Sequence, residues 1–378
     1  MRKVLVITAL AGFIRSFLEN DIRTLQEMGY EVDCAANPDH PGAENIHEYF
    51  QEIGTKFHEI SFSSNAPVSK ETFTAYRQVK KLLKENQYEM IHVHTPIAGA
   101  VVRMAAGKLR KKGCKIVYTT HGFFFHKGSG KKSWMLYYNV EKFFSRRTDM
   151  MITINKEDYH AAKTMKCGSV RYINGVGVDT KRILDAKIDR KAYREELGIK
   201  EEELMVVSIG ELSVRKNHQI IIKALGKLDT SKYVYVICGN DMNASGTSAS
   251  LKELAEENHV NLRLLGLRSD VPQICHCADI GAFPSTREGL GLAGIELMTA
   301  GVPLAASGVQ GILDYMEDGK TGYLCETYNV EQYAYALERL SDKTVRESMK
   351  KNCVHKAMEF DKAISVSQTK EIYKELLG

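Results

Sequence analysis

No apolar run in this chain is long enough to cross a membrane, which takes about 20 residues. The nearest candidate, Gly289 to Val309, is interrupted by Glu296 and by several glycines. The amino-terminal stretch MRKVLVITAL is too short an apolar run for a secretory leader, and no small-residue cleavage site follows it. No tandem repeat or low-complexity segment is present, so solenoid and fibrous classes are excluded. A strong charge imbalance is missing too: the net charge is +5, too small to argue for a nucleic-acid partner. The cysteines form no spaced pairs. Eight are scattered along the chain, most in or beside apolar runs, as suits reduced core thiols in a cytoplasmic protein. Cys275-His276-Cys277 is spaced too tightly for a zinc pair and has no second pair nearby in sequence. No bound metal is expected.

The chain that remains is 378 residues long, 44% hydrophobic and 26% charged, enough for two globular domains. Its first half alternates apolar runs with helical patterns. KVLVIT (3–8) reads as a buried parallel strand, and Ala11-Gly12 turns it into a helix expected from Phe13 to Met28. Strands are expected at 31–36, 56–60, 90–93, 115–120, 149–155 and 170–173, with helices between them at 70–86, 96–112 and 156–165. This alternation points to a doubly wound parallel sheet, in which ligands bind at the carboxyl ends of strands. Gly12, His121 and Gly122 fall at such ends, with His92 and His94 as second-rank candidates.

The second half repeats the alternation after a glycine-bearing connection, Gly175-Val176-Gly177-Val178-Asp179. The charged segment 181–203 reads as a lead-in, and strands are expected at 204–209, 233–238, 261–265, 279–283, 304–306 and 321–324. Three closing helices are expected at 330–340, 343–360 and 361–377. The domain limits are expected at 1–178 and 179–360, with 361–378 a final helix crossing back to the first domain.

The stretch STREGLGLAGIELMTAGVPLAAS (285–307) carries most of the chemistry. Gly289 and Gly291 let backbone approach a ligand, and a helix start aims free N–H groups at an anion such as phosphate. Glu288 stands before the glycines and Glu296 two turns later, roughly 12 Å along a helix axis. Acids so placed suit the two ends of an extended ligand such as a nucleotide sugar. Upstream, Gly210 ends a strand and is followed by Arg215-Lys216-Asn217-His218. A further segment, 123–147, mixes phenylalanines, Trp134, Tyr137 and Tyr138 with Lys127, Lys131, Lys132, Lys142, Arg146 and Arg147. It reads either as core aromatics with a solvated basic face or as a patch for an anionic membrane surface.

Glu288-Gly289-Leu290-Gly291-Leu292 with Glu296, the Gly210 to Asn217 turn, His121-Gly122 and Gly175 to Asp179 together resemble glycosyltransferase family 4. The THGF segment (120–123) is similar to the branch that builds bacterial exopolysaccharide and capsule. The resemblance covers nearly the whole chain. It implies the GT-B fold, two Rossmann-like domains facing each other across a cleft. It also implies retaining transfer from a nucleotide sugar, expected to be UDP-linked, to a lipid-linked or growing saccharide acceptor. The expected location is the cytoplasm, at the inner face of the cell membrane. By the same resemblance Lys216 and Arg215 neutralise the donor diphosphate, and Gly289, Leu290, Gly291 and Leu292 approach its phosphates. Glu288 holds sugar hydroxyls, Glu296 the ribose, and His121 the donor sugar, with Gly12, Gly122 and Gly210 lining the donor. Many family members place Arg after the glycine that matches Gly210, where this chain has Glu211. No Asp-X-Asp stands near the donor motif, so the implied transfer needs no metal or other cofactor. Two other readings stay open: a GT-B synthase or epimerase acting on soluble sugars, and a nucleotide-sugar-binding protein without catalysis.

Overall fold

The computed structural model describes residues 2–40, 42–63, 69–241 and 246–378. The chain divides into two compact units, Met1–Val176 with Ala363–Gly378, and Gly177–Lys362. It therefore leaves the first unit two residues earlier than the sequence suggests, and its last helix, Lys362–Leu377, belongs almost wholly to that unit.

The first unit holds strands β1 (Lys3–Leu10), β2 (Glu31–Asn37), β3 (Lys56–Glu59), β4 (Met90–His94), β5 (Lys115–Thr120), β6 (Met150–Thr153) and β7 (Ser169–Tyr172). All pair in parallel, in the order β3-β2-β1-β4-β5-β6-β7. The second unit holds β8 (Leu204–Ile209), β9 (Tyr233–Cys238), β10 (Asn261–Gly266), β11 (Ile280–Phe283), β12 (Leu304–Ser307) and β13 (Gly322–Cys325). These too are parallel, in the order β10-β9-β8-β11-β12-β13. Both sheets thus share one topology: the strand order runs out from the first strand, returns, and continues from its other side. The reversal falls between β1 and β4 in one unit and between β8 and β11 in the other. Loops leave in opposite directions there, opening a crevice at the carboxyl ends of the strands.

Continuous apolar runs explain the central strands, which helices cover on both faces. Val4 to Ile7, Met205 to Val207 and Val234 to Ile237 are fully buried. Elsewhere the structure departs from the sequence reading. The helix expected from Phe13 to Met28 is two, Ala11–Phe17 and Glu19–Glu27. Leu18 between them leaves helical geometry at φ −117°, ψ 3° while staying fully buried. Packing, not a glycine or proline, makes that break. The helix expected from Pro96 to Lys112 likewise divides at Ala106. The helix Ile46–Glu52 was not anticipated.

The charged stretch 181–203 is not a loose lead-in. It contains the short helices Thr180–Leu184 and Arg190–Glu196, capped by the carboxylates of Asp179 and Asp189. Arg194, 4% exposed, ties the second helix down. Its guanidinium donates to Asp279 Oδ2 at 3.0 Å and to the carbonyls of Cys277 and Lys200. No helix of the described residues is long and apolar enough to cross a membrane.

Candidate functional site

In the second unit, the two loops at the strand reversal carry the predicted residues. Gly210, just after β8, sits at φ 148°, a conformation that L side chains rarely adopt. A Cβ there would lie 2.9 Å from Lys216 Cε, so the missing side chain leaves room for the lysine. The turn that follows is clipped to the loop after β11. Thr286 N–H donates to the Arg215 carbonyl at 2.8 Å, and the buried Asn217 amide donates to the carbonyls of Pro284 and Thr327. Asn217 itself, at φ 54°, precedes the helix His218–Leu225.

This clip brings Lys216 Nζ to 2.6 Å from Glu288 Oε1, with the ammonium 4.9 Å from the centre of the Phe283 ring. Arg215 Nη1 donates to the same Glu288 oxygen at 3.0 Å, and Arg215 Nη2 pairs with Glu211 Oε1 at 3.0 Å. Glu211 therefore takes up part of the Arg215 charge rather than adding to the cationic set. Glu288 is only 8% exposed. Burial by itself would raise its pKa, but the Lys216 and Arg215 charges outweigh burial and hold it below the usual carboxylate range.

Gly291 lies at φ 89° and heads the helix Leu292–Thr299. A Cβ on it would meet Phe283 Cε1 at 2.7 Å. Leu290 is buried, and Gly289 packs so closely on Gly311 that a Cβ on the latter would fall 2.2 Å from the Gly289 carbonyl oxygen. Gly289, Leu290, Gly291, Leu292, Glu288, Lys216 and Arg215 thus come together around one helix N-terminus. Glu296, two turns along that helix, is half-buried. Burial raises its carboxyl pKa, and the Arg182 charge partly offsets the rise.

The sequence reading overlooked Gln310 in the loop after β12. It is 2% exposed at φ 27°, and both polar atoms of its side-chain amide are buried without a hydrogen-bond partner. Its neighbour Gly311 donates its N–H to the Glu288 carbonyl at 3.3 Å. A single glutamine between Val309 and Gly311 carries no sequence signal of this kind.

In the first unit, Gly12 is buried and its N–H donates to His40 Nε2 at 3.2 Å, so this amide already has a partner within the chain. His121 follows β5, with its ring edge-on to Phe13 at 4.8 Å and its Nε2 3.0 Å from His94 Nδ1. Burial pushes its pKa down to about 4, so the ring is neutral at physiological pH. Gly122, at φ 116°, turns the chain so that Phe123 enters the core and donates its N–H to Asp158. Phe125 is buried as well. In the helix Lys131–Ser145, by contrast, Trp134, Met135, Leu136, Tyr137, Val140 and Phe143 are exposed, next to exposed Lys131, Lys132, Arg146 and Arg147. The aromatic segment therefore divides between core and surface. Cys275 and Cys277 are buried free thiols, and the His276 ring is engaged with the Ile183 carbonyl.

Comparison with known proteins agrees with this architecture. The model for "Glycosyltransferase Family 4" matches residues 17–181, and that for "Glycosyl transferases group 1" matches residues 189–357. EpsD of Bacillus subtilis (strain 168), provisionally named a glycosyltransferase, is 30% identical over 98% of this chain and 96% of its own length. An Escherichia coli enzyme is 28% identical over 79% of this chain and 78% of its own. It is named UDP-Gal:alpha-D-GlcNAc-diphosphoundecaprenol alpha-1,3-galactosyltransferase. Among solved structures, HepE of Anabaena in complex with UDP and glucose superposes at a TM-score of 0.78 and 18% identity, covering 100% of both chains. WaaG, a glycosyltransferase of lipopolysaccharide biosynthesis, superposes at 0.72 and 19% identity, covering 98% of this chain and 99% of its own. With family models on both halves and a full-length relative, the chain belongs to glycosyltransferase family 4 and is a glycosyltransferase of the GT-B fold.

Proposed function

We propose that this enzyme takes a sugar from a UDP-linked donor, with retention of configuration, and delivers it to a lipid-linked or growing saccharide in cell-surface polysaccharide synthesis. The observation that carries the reading is the cluster of Lys216, Arg215 and Glu288 at the N-terminus of the helix Leu292–Thr299. Two cations at a helix N-terminus suit a pyrophosphate, and a buried carboxylate beside them suits sugar hydroxyls. HepE, solved with UDP and glucose, and the E. coli galactosyltransferase, named for a diphosphoundecaprenol acceptor, support the donor and acceptor classes.

In the proposed reaction the bond between the anomeric carbon and the β-phosphate oxygen breaks, and UDP leaves with the electron pair. The acceptor oxygen bonds to the same face of that carbon and gives its proton to the departing phosphate. Lys216 and Arg215 stabilise the charge that grows on the leaving group. These side chains supply that charge themselves, so the proposal assigns no metal or other cofactor to the transfer. His121, neutral at physiological pH, is assigned to the donor sugar, Glu296 to the ribose, and the Gln310 amide to a polar group of the donor.

Location at the inner face of the cell membrane is part of the same reading. It rests on the exposed apolar residues of the helix Lys131–Ser145 beside lysines and arginines. Each basic side chain near an anionic surface contributes about 1 kcal/mol of attraction. Replacing Lys131 and Lys132 by Glu is expected to reduce sedimentation with vesicles containing anionic lipid, with no change for neutral vesicles. Equal sedimentation of both proteins would remove the membrane assignment.

The test of the main reading is a donor assay with UDP, GDP and ADP sugars, with and without membrane-extracted acceptor lipid. Release of UDP that rises with acceptor supports the proposal. Release with soluble sugars alone points to a synthase or epimerase, and no release with any donor points to a binding protein.

A further inference from the structure

The carboxyl end of β4 carries a second polar group, beside His121, to which the proposed transfer assigns no role. His92 and His94 are two residues apart on one strand, so both project to the same face of the sheet. The helix Glu19–Glu27 brings Asp21 to them in its first turn. One ligand-capable atom from each of the three lies within 4.8 Å of the others, an arrangement unique among the described residues. We infer that Asp21, His92 and His94 form a binding site for one divalent cation of the zinc class.

Four observations carry this. First, the three residues line a cavity of about 10 Å³, close to the space that one water or ion takes. Second, His94 is 1% exposed and its Nε2 has no hydrogen-bond partner, although a buried ring nitrogen in a folded protein nearly always has one. Third, none of the described residues lining the cavity is a lysine or arginine, so no side chain there balances the Asp21 carboxylate. Fourth, two imidazoles and one carboxylate suit zinc, whereas magnesium and calcium favour all-oxygen sets.

The surroundings suit the role. His92 bonds to two hydroxyls, Tyr373 at 2.8 Å through Nδ1 and Thr119 at 2.7 Å through Nε2. A cation displaces one of these bonds, and the remaining one holds the ring in place. Three protein ligands leave a fourth tetrahedral position for water. With its Nε2 on the cation, His94 carries its proton on Nδ1 and donates it to His121 Nε2, 3.0 Å away. Occupancy would thereby fix which nitrogen of His121 bears a proton.

The test uses the full chain, stripped with a chelator and then dialysed to equilibrium against zinc chloride. The expected result is one equivalent of zinc per chain, a higher unfolding temperature and no comparable effect of magnesium. Asp21→Asn and His94→Gln are each expected to weaken zinc binding about 100-fold or more. Replacing Cys275 and Cys277 together by serine should leave it unchanged, which separates this site from thiol binding. Circular dichroism of the stripped proteins checks folding. If His94→Gln does not fold, the half-buried Asp21→Asn decides alone. Absence of zinc uptake by the native chain, or native-like uptake by a folded Asp21→Asn, overturns the inference. Metal content is read without a transfer assay, so this outcome is independent of the donor and acceptor assignments.

Discussion

Lys216 Nζ and Glu288 Oε1 lie 2.6 Å apart, the shortest contact in a cluster where one buried carboxylate oxygen faces two cations. Such an arrangement is poised for ligand exchange. In the proposed reaction an incoming diphosphate would compete with Glu288 for Lys216 and Arg215, and the freed carboxylate would turn to sugar hydroxyls. Lys216→Ala removes one of the two charges proposed to stabilise the leaving group and is expected to lower turnover by about 100-fold or more. Glu288→Gln keeps the shape but loses the charge, and is expected to lower turnover on a similar scale. UDP release under saturating donor checks both. Native rates in both variants would remove the site assignment.

The glycine that heads the same helix gives a second prediction. Gly291 holds φ 89°, and a Cβ would stand 2.7 Å from the Phe283 ring. Gly291→Ala therefore incurs both a left-handed backbone penalty and a clash with a buried aromatic, roughly 1–3 kcal/mol together. The strain falls on the loop proposed to hold the phosphates, so KM for the donor should rise while the acceptor KM stays near native. Steady-state kinetics varying each substrate in turn separates the two. A variant with native donor KM and native stability would contradict the geometry.

His218 supplies a pH dependence. It is buried, with its Nδ1 3.2 Å from the Tyr235 hydroxyl and its Nε2 3.1 Å from the Glu211 carbonyl. Burial, the main cause, and the Lys216 charge push its pKa down to about 4 against the pull of the Glu211 carbonyl. The unfolded chain takes up that proton near pH 6.5 and so binds more protons between about pH 6.5 and 4. Stability from this group is fully present above pH 6.5 and is lost as pH falls toward 4, by about 3 kcal/mol. Urea titrations of the native chain and of His218→Gln across this window should show a shallower acid loss in the variant. Parallel pH profiles would mean that His218 does not titrate on unfolding.

Much of this was legible in the sequence because strand and loop chemistry are local. Runs such as Met205 to Val207 have no polar residue to place at a surface, and Gly291 and Gly210 mark positions where only glycine fits. What escaped was set by tertiary contact. The break at Leu18 has no glycine or proline to announce it, and Arg194 looks like one charge among many until Asp279 is brought beside it. His92 and His94 stood out as second-rank candidates, but Asp21 comes from an earlier helix and nothing in the sequence ties it to them. The role of Glu211 was open in the sequence for the same reason. Only its 3.0 Å contact with Arg215 identifies it as that cation's partner.

The helix Lys131–Ser145 exposes most of its length, so something specific must hold it to the first unit. Arg103 Nη2 donates to Glu141 Oε2 at 2.9 Å, and the two side chains are 0% and 9% exposed. The guanidinium also donates to the Gly99 carbonyl and lies 4.2 Å from the centre of the Tyr118 ring, while the Tyr118 hydroxyl donates to Glu141 Oε1. Removing one partner leaves the other charge buried and uncompensated. Glu141→Ala is therefore expected to cost about 3–5 kcal/mol. Replacing the pair together, Arg103→Met with Glu141→Leu, removes both charges and should cost clearly less than the single change. The single variant should also lose hydrogen-exchange protection in residues 131–145 before the sheet does, because few other buried side chains tie that helix down. If Glu141→Ala unfolds at the native denaturant concentration, or the double variant is the less stable of the two, the buried pair is not what anchors the helix.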